Sequence, residues 1–178
     1  MKHVMVDLET LGTAPGCVIL SVGAVEFDPV VGLGREFYGV IHTKSCTDAG
    51  LFIDPDTKAW WDKQNAEARK VLEQADDEES GAELSSVLEE FDAWLPKGAL
   101  VWGNGADFDN PILSAAYKAI GSKQPWGSWN GRCYRTLKSM YPAIKMVREG
   151  TYHNALSDAI SQAKHAVTIA NAHNLVLA

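Results

Sequence analysis

The feature that most constrains the fold is a short apolar run near the N-terminus that ends in two acids. Residues 4–9 are apolar at successive positions up to Asp7, which predicts a strand with both of its faces buried. Asp7 and Glu9 are two residues apart, so their side chains point to the same face at the end of this strand. The other predicted strands and helices follow this strand in the sequence.

Two further strands are predicted at residues 18–27 and 36–42, with a turn that contains Asp28-Pro29 and 32–34. Short strands are predicted near 99–102 and 132–134. Helices are predicted from Pro55 through Trp61, over 84–95 after a capping-box pattern at 80–83, over 111–120, over 136–140, and from Asn154 onward. This order predicts an α/β fold, a mixed β-sheet flanked by α-helices, in a single domain over residues 1–178.

Composition excludes several classes of protein. The chain has 178 residues, 46% of them apolar and 22% charged, which is ordinary for a globular domain. No apolar run is long enough to cross a membrane, and the first residues do not resemble a signal peptide, so we expect a cytoplasmic protein. Three scattered cysteines, Cys17, Cys46 and Cys133, predict neither a disulfide framework nor a zinc site.

The formal net charge of −7 argues against a nucleic-acid partner, but its distribution argues for one. Residues 110–148 contain no Asp or Glu and seven basic residues. Those residues are Lys118, Lys123, Arg132, Arg135, Lys138, Lys145 and Arg148. One interpretation is chance unevenness; the functional interpretation is a groove with one basic wall.

Four acids in three groups stand at predicted junctions, and the groups have structural alternatives. Asp7 and Glu9 could be a solvated strand end, and Asp109 could be a helix N-cap before Pro111. His153 and Asp158 flank the predicted start of the last helix, with the histidine on the loop and the acid about one turn in. Each pair alone is weak evidence for a site.

Together, the ordered pattern resembles the DEDDh family of 3′–5′ exonucleases. The resemblance rests on Asp7-x-Glu9, Asn104-x-x-x-Phe108-Asp109 and His153-x-x-x-x-Asp158, and it covers almost the whole chain. A finer similarity, carried by residues 11–16 and Trp60-Trp61, is to the short exoribonuclease-like branch that includes exonuclease A-type enzymes of tailed phages. The resemblance implies a ribonuclease H-like fold and hydrolysis of phosphodiester bonds of single-stranded RNA or DNA from the 3′ end.

The resemblance also implies roles for individual residues. Two Mg²⁺ or Mn²⁺ ions would be held by Asp7, Glu9, Asp109 and Asp158, with His153 as the general base. Contacts to substrate are expected from Thr10, Leu11, Gly12, Asn104, Phe108, Arg132 and Arg135. Leu11 is expected to wedge against the terminal base. Trp60 or Trp61 is expected to stack on a base, with one of the two packed inward. Phe108 also fits a core position.

Two other functions remain open at this point. The first is a metal-dependent hydrolase of dinucleotides or very short oligonucleotides, which suits an acidic, compact domain. The second is a proofreading-type subunit that acts through a protein partner. The sequence does not decide between DNA and RNA, and it allows a homodimer.

Overall fold

The computed structural model describes residues 3–77, 79–150 and 153–177. Its strands are β1 (His3–Thr10), β2 (Ile19–Asp28), β3 (Gly32–Val40), β4 (Leu100–Gly103) and β5 (Gly131–Cys133). Its helices are α1 (Thr43–Asp48), α2 (Pro55–Trp61), α3 (Ala66–Asp76), α4 (Leu84–Trp94), α5 (Asp109–Ala119), α6 (Tyr134–Met140) and α7 (Ala155–His173), with a 3₁₀ turn at Ser128–Asn130.

The strands form one mixed sheet in the order β3-β2-β1-β4-β5. β1 and β2 pair antiparallel, as do β2 and β3, whereas β4 lies parallel to β1 and β5 parallel to β4. The strand predicted to be buried on both faces is therefore the central one. The predicted α/β fold with a mixed sheet is confirmed.

Alternation along β1 divides the core into two layers. Val4 and Val6 pack in the layer that includes α3, α4 and α5, and Met5 packs in the layer of α6 and α7. Because successive side chains of a strand point to opposite faces, Asp7 and Glu9 share the face of Met5. Both carboxylates therefore point to the side of the sheet on which α7 lies.

The start of α7 approaches the sheet very closely. A Cβ atom on Gly23 of β2 would lie 2.2 Å from the carbonyl carbon of Ala155 and from the backbone nitrogen of Leu156. Ala155 and Ala159 are fully buried on this side of the helix. Glycine on the strand and alanine on the helix let α7 descend onto β2, which brings the first turn of α7, with Asp158, to the central strand.

The hairpin between β2 and β3 is tighter than predicted. The Asp28 carboxylate accepts hydrogen bonds from the backbone N–H groups of Val30 (2.8 Å) and Val31 (3.1 Å). This side-chain turn lets β3 begin at Gly32, so the glycine-rich segment predicted as turn lies within the strand.

The predicted capping box at 80–83 is wrong. α4 begins at Leu84 without a local side-chain cap, and the Leu84 N–H donates to Oγ of Ser45 in α1 at 3.0 Å. Ser80 instead donates to Asp77 at 2.5 Å, and Ala82 bridges to Ile41. A long-range partner thus replaces the local cap.

The helices α1 and α3 were not predicted, and α5 begins two residues before the expected Pro111. The N-cap of α3 is Asn65, whose side chain accepts from the Ala68 N–H at 2.9 Å. Among the described residues, no helix is both long and apolar enough to cross a membrane.

Candidate active site

A cleft of about 550 Å³ opens beyond the ends of β1 and β4. Its walls come from the loop after β1, from α2, from the segment before α7 and from the first turns of α7. The residues that line it are Asp7, Leu8, Glu9, Thr10, Gly12, Thr13, Asp54, Asp56, Thr57, Trp60, Trp61, Asn104, Phe108, Arg148, His153, Asp158 and Gln162. Most of the residues proposed from sequence therefore meet in one cleft.

Three carboxylates converge at the floor of this cleft. Asp7, Glu9 and Asp158 each contribute one oxygen, and these three oxygens lie within 4.8 Å of one another. The cluster follows from the fold, because β1 presents two acids on the face that α7 covers and Asp158 belongs to the first turn of that helix. Residues about 150 positions apart in the sequence are thus brought together.

Burial and mutual repulsion raise the pKa values of these acids. Burial raises the pKa of Asp7 well above its ordinary value, and the neighbouring charges of Asp109, Glu9 and Asp158 add to the effect. The pKa of Glu9 rises to about 8, again first through burial and then through Asp158 and Asp109. Burial also raises the pKa of Asp158, against the opposing effect of Arg148. Such a cluster is electrostatically unfavourable when ionised unless a cation compensates it.

Asp109 lies beside the cluster but outside the group of three. It is 1% exposed; one carboxylate oxygen accepts from the Leu8 N–H at 3.2 Å and the other from the Asn104 N–H at 2.5 Å. Burial raises the pKa of Asp109 to about 6, although these backbone hydrogen bonds lower it. It is the first residue of α5, whose N-cap is Phe108, so the N-cap interpretation is wrong.

His153 stands at the rim of the cleft, just before α7. Its φ of 57° places it in the left-handed region, which is uncommon for a residue with a side chain. Its ring makes edge contacts with Trp60 and Trp61, at centroid distances of 5.2 and 5.9 Å. Burial raises the pKa of the Asp158 carboxyl, and Arg148 and the nearby His153 oppose this rise. His153, on the loop before α7, and Asp158, in the first turn of α7, therefore line the same cleft.

The two tryptophans of α2 have different environments. Trp61 is 1% exposed, and its Nε1–H donates to the Thr10 carbonyl at 2.8 Å. Trp60 is 44% exposed and faces the cleft. The structure therefore has one tryptophan packed and one available at the cleft surface.

The end of β1 and the loop after it line the cleft with Thr10, Gly12 and Thr13. Thr10 Oγ1 donates to the Gly12 carbonyl at 2.6 Å, which fixes the turn. Leu11 is only 3% exposed and packs in the core, so its side chain does not project into the cleft as the expected wedge.

On the far wall, Phe108 is half-buried. It packs against the core, as one prediction had it, and it also lines the cleft, where the other prediction placed it. Asn104 lines the cleft as well, and its Oδ1 is buried with no hydrogen-bond partner among the described residues. A buried acceptor of this kind is a candidate for a contact with a ligand donor.

The predicted basic wall is divided between two places. Arg148 lines the cleft and forms a hydrogen-bonded ion pair with Asp158. Arg135 lies against Gly105, and its charge lowers the pKa of Asp109. Arg132 lines a separate depression beyond the β4–α5 loop. Arg132 and Arg135 therefore do not line the acidic cleft itself, because β5 and the start of α6 lie at the edge of the sheet.

Sequence reasoning missed Gln162. Its Nε2 donates to Asp7 Oδ1 at 2.7 Å, and the side chain is 4% exposed within the cleft lining. Gln162 lies four residues after Asp158, one helical turn along the same face. The spacing of four residues from Asp158 was the sequence signal that could have identified Gln162.

The residues present fit divalent cations. Mg²⁺ and Mn²⁺ prefer oxygen ligands, and the cluster of Asp7, Glu9 and Asp158 offers carboxylate oxygens with Asp109 adjacent. The repulsion among these buried acids supplies the electrostatic reason for cation binding.

Comparison with known proteins agrees with this geometry. A family model described as the Rv2179c-like 3′–5′ exoribonuclease domain matches residues 2–170. The chain belongs to this family. The resemblance of the sequence to 3′–5′ exonucleases is thereby confirmed, and exonucleases are hydrolases.

Individual relatives support the same family and fold. An exodeoxyribonuclease of Enterobacteria phage T4 is 25% identical over 178 aligned positions, covering 85% of this chain and 75% of the relative. The nuclease domain of 3′hExo, a DEDDh family member bound to rAMP, superposes with a TM-score of 0.64 at 12% identity, covering 97% of this chain and 92% of that one. Exonuclease X in complex with 5′-overhanging duplex DNA gives a TM-score of 0.61 at 15% identity, covering 97% and 93%. The Rv2179c-like domain described here thus has the fold of DEDDh exonucleases.

Proposed function

We propose that this chain removes nucleotides one at a time from the 3′ ends of single-stranded nucleic acid, with two Mg²⁺ or Mn²⁺ ions. The observation that carries the proposal is the convergence of Asp7, Glu9 and Asp158 within 4.8 Å in a cleft that also contains His153. Such a cluster of buried acids, next to a histidine, supports metal-dependent phosphodiester hydrolysis.

The cations would be held by Asp7, Glu9, Asp109 and Asp158. Each carboxylate oxygen has two lone pairs, so the hydrogen bonds of Asp109 to backbone N–H groups leave acceptor capacity for a cation. When bound, two such ions neutralise the phosphate and stabilise the attacking and leaving oxygens of an in-line displacement. The protein contributes a buried, pre-formed set of oxygens.

His153 is proposed as the general base. A water molecule attacks the terminal phosphorus, its proton passes to an imidazole nitrogen of His153, and the bond from phosphorus to the 3′ oxygen of the preceding nucleotide breaks. The departing 3′ oxygen takes up a proton from solvent, so a nucleoside 5′-monophosphate leaves and the shortened strand ends in a new 3′ hydroxyl. Contacts of the His153 ring with Trp60 and Trp61 hold it at the rim, where this proton transfer takes place.

The terminal nucleotide is proposed to lie between the loop after β1 and α2. Thr10 and Gly12 face this space through backbone and side chain, while Leu11 supports them from the core. The exposed Trp60 is the stacking surface, an interaction that tolerates any base. Asn104 and Phe108 form the opposite wall.

Basic residues are proposed to contact the phosphate backbone. Arg148 lines the cleft next to Asp158, and Arg135 lies at the β4–α5 loop beside it. Arg132 lies farther out, at the second depression. Positive charge at these points offsets the overall charge of −7 locally.

Both RNA and DNA are proposed as substrates. The family description as exoribonuclease supports RNA, and the name of the phage T4 relative supports DNA. The enzyme is proposed to act as a single domain in the cytoplasm, as a monomer or homodimer.

The deciding experiment is degradation of 5′-labelled single-stranded RNA and DNA of matched sequence, with Mg²⁺, Mn²⁺ or EDTA. Asp7→Asn, Glu9→Gln, Asp109→Asn and Asp158→Asn are each expected to lower the rate on the order of a thousandfold, and His153→Ala by about 10² to 10⁴. Asp92→Asn, an exposed acid on α4, and His173→Ala are the matched controls. A ladder that shortens from the 3′ end only with metal is the expected result.

The same experiment tests the alternatives. If dinucleotides are hydrolysed while both polymers stay intact, the substrate is a dinucleotide or very short oligonucleotide rather than a polymer. Activity that appears only after addition of a protein partner would make the chain a proofreading-type subunit, and its mass in solution would show the assembly. Activity retained by Asp158→Asn would exclude the proposed metal site.

A further inference from the structure

A second cleft of about 380 Å³ lies on the other side of the β4–α5 loop. It is bounded by the first half of α5, by residues 124–128 and by β5. Its polar lining includes Asn110, Ser114, Gln124, Ser128 and Arg132. Its volume falls in the range of small-molecule sites, and its polar side chains provide both donors and acceptors.

The two clefts share one wall. Asn104 lines the acidic cleft, and the next two residues, Gly105 and Ala106, line the second one. A Cβ atom at Gly105 would lie 3.4 Å from the guanidinium carbon of Arg135, so this cation lies at the shared wall. A strand that leaves the acidic cleft over this wall meets a positive charge and then the second cleft.

An exposed aromatic side chain directly follows Ser128, which lines the second cleft. Trp129 is 80% exposed, although large apolar side chains are costly to expose. Its ring packs over Gly127, where a Cβ atom would lie 2.8 Å from the indole. Arg132 holds this segment through hydrogen bonds from Nη1 to the carbonyls of Trp129 (2.8 Å) and Gly131 (3.0 Å). The indole thus lies at the surface, in a segment whose backbone carbonyls the Arg132 guanidinium contacts.

Asn110 adds a specific polar feature. Its Nδ2 donates to the Val101 carbonyl at 2.8 Å, which fixes the orientation of the amide. Its Oδ1 is buried without a hydrogen-bond partner among the described residues. The amide oxygen can only accept, so the group that satisfies it is a donor, such as an exocyclic amine of a base or a sugar hydroxyl.

We propose that the second cleft binds an upstream nucleotide of the same strand whose 3′ end occupies the acidic cleft. Trp129 stacks on its base, and Arg132 contacts its phosphate. Arg132 in the lining of this cleft and Arg135 at its shared wall place two cations where a polynucleotide backbone would pass. This inference rests on the proposed function, and it makes the preferred substrate a polymer rather than a dinucleotide.

The test compares a dodecanucleotide with a dinucleotide that has the same 3′ end. Trp129→Ala is expected to raise the KM for the dodecanucleotide about tenfold, the size expected for losing one stacked base. Its KM for the dinucleotide is expected to change by less than about twofold. Trp129→Phe is expected to retain most of the affinity, which separates stacking from a structural defect.

Two controls and a binding measurement complete the design. Val30→Ala and Lys97→Gln remove an exposed apolar group and a charge at the opposite end of the sheet. Fluorescence anisotropy of the labelled dodecanucleotide in EDTA reports binding without hydrolysis, and Arg132→Gln is expected to reduce the slope of log affinity against log salt by about 0.7.

The outcomes distinguish this inference from the proposed function. Equal KM values of wild type and Trp129→Ala for the dodecanucleotide, or equal losses on both substrates, would overturn the second cleft as an upstream subsite. Wild-type protein without activity on either substrate would overturn the proposed function. The difference in dodecanucleotide affinity between wild type and Trp129→Ala, measured by anisotropy, would then still show whether the second cleft binds the strand.

Discussion

Gln162 Nε2 donates a hydrogen bond of 2.7 Å to Asp7 Oδ1, which joins α7 to the central strand within the acid cluster. The amide nitrogen faces Asp7, and Gln162 Oε1 is buried without a partner among the described residues. This contact fixes the orientation of a carboxylate that is proposed to hold a cation.

We therefore predict that Gln162→Leu weakens metal binding while the protein still folds. Outer contacts that orient metal ligands typically contribute about 10- to 100-fold in metal affinity or activity. The Mn²⁺ concentration at half-maximal activity is expected to rise by about that factor, as is the dissociation constant for Mn²⁺ from calorimetry. Gln74→Leu on the exposed side of α3 is the control, and unchanged Mn²⁺ affinity in Gln162→Leu would contradict the assigned role.

Substitutions of the two adjacent tryptophans are predicted to have different effects, one on stability and the other on KM. Trp61→Phe removes the hydrogen bond to the Thr10 carbonyl and leaves a buried acceptor, so the free energy of unfolding is expected to fall by about 1–3 kcal/mol. Trp60→Ala removes an exposed stacking surface and is expected to raise KM about tenfold with a smaller change in stability. Urea unfolding and steady-state kinetics on both variants check this division. A larger loss of stability in Trp60→Ala, together with a larger rise of KM in Trp61→Phe, would contradict it.

Stability is predicted to depend on pH because the pKa values of the acids are raised. A raised folded-state pKa means that the folded protein binds more protons than the unfolded chain, so stability falls as pH rises through this range. The window runs from the ordinary carboxyl values to the pKa of about 6 for Asp109 and about 8 for Glu9. In EDTA, the melting temperature is therefore expected to fall between about pH 5 and pH 8.

Added Mn²⁺ is expected to stabilise the protein more at about pH 8 than at about pH 5, since ionised carboxylates are the ligands. Glu9→Gln is expected to flatten the pH dependence in EDTA, and Glu90→Gln on the exposed side of α4 to leave it unchanged. A melting temperature in EDTA that rises over this range would show that the acids are not held in the buried cluster.

Gly23 is predicted to be essential for the position of α7. In Gly23→Ala the new methyl group would lie 2.2 Å from the backbone at Ala155 and Leu156, so the start of the helix must move away from β2. Overpacking of this kind costs about 1–3 kcal/mol or more, and displacement of Asp158 is expected to lower activity further. Gly34→Ala in the exposed hairpin is the comparison, because its nearest contact is the Glu26 side chain.

Local patterns in the sequence were sufficient for much of the fold. The buried strand at 4–9, the N-cap Asp54 before Pro55 and the last helix after Asn154 agree with the structure because their signals are local. The capping box and the start of β3 were predicted incorrectly because Ser45 and the Asp28 turn compete with the local pattern. Neither competitor can be read from the segment it affects.

The sequence by itself determined the residue types, their order and the alternation that puts Asp7 and Glu9 on one face of β1. Tertiary structure decided which groups meet: the descent of α7 onto Gly23 brings Asp158 and Gln162 to these acids. It also buried Leu11, left Trp60 rather than Trp61 exposed, and moved Arg132 to a separate cleft. The physical reason is that periodicity fixes only the direction of a side chain, whereas its neighbours depend on contacts between segments far apart in the chain.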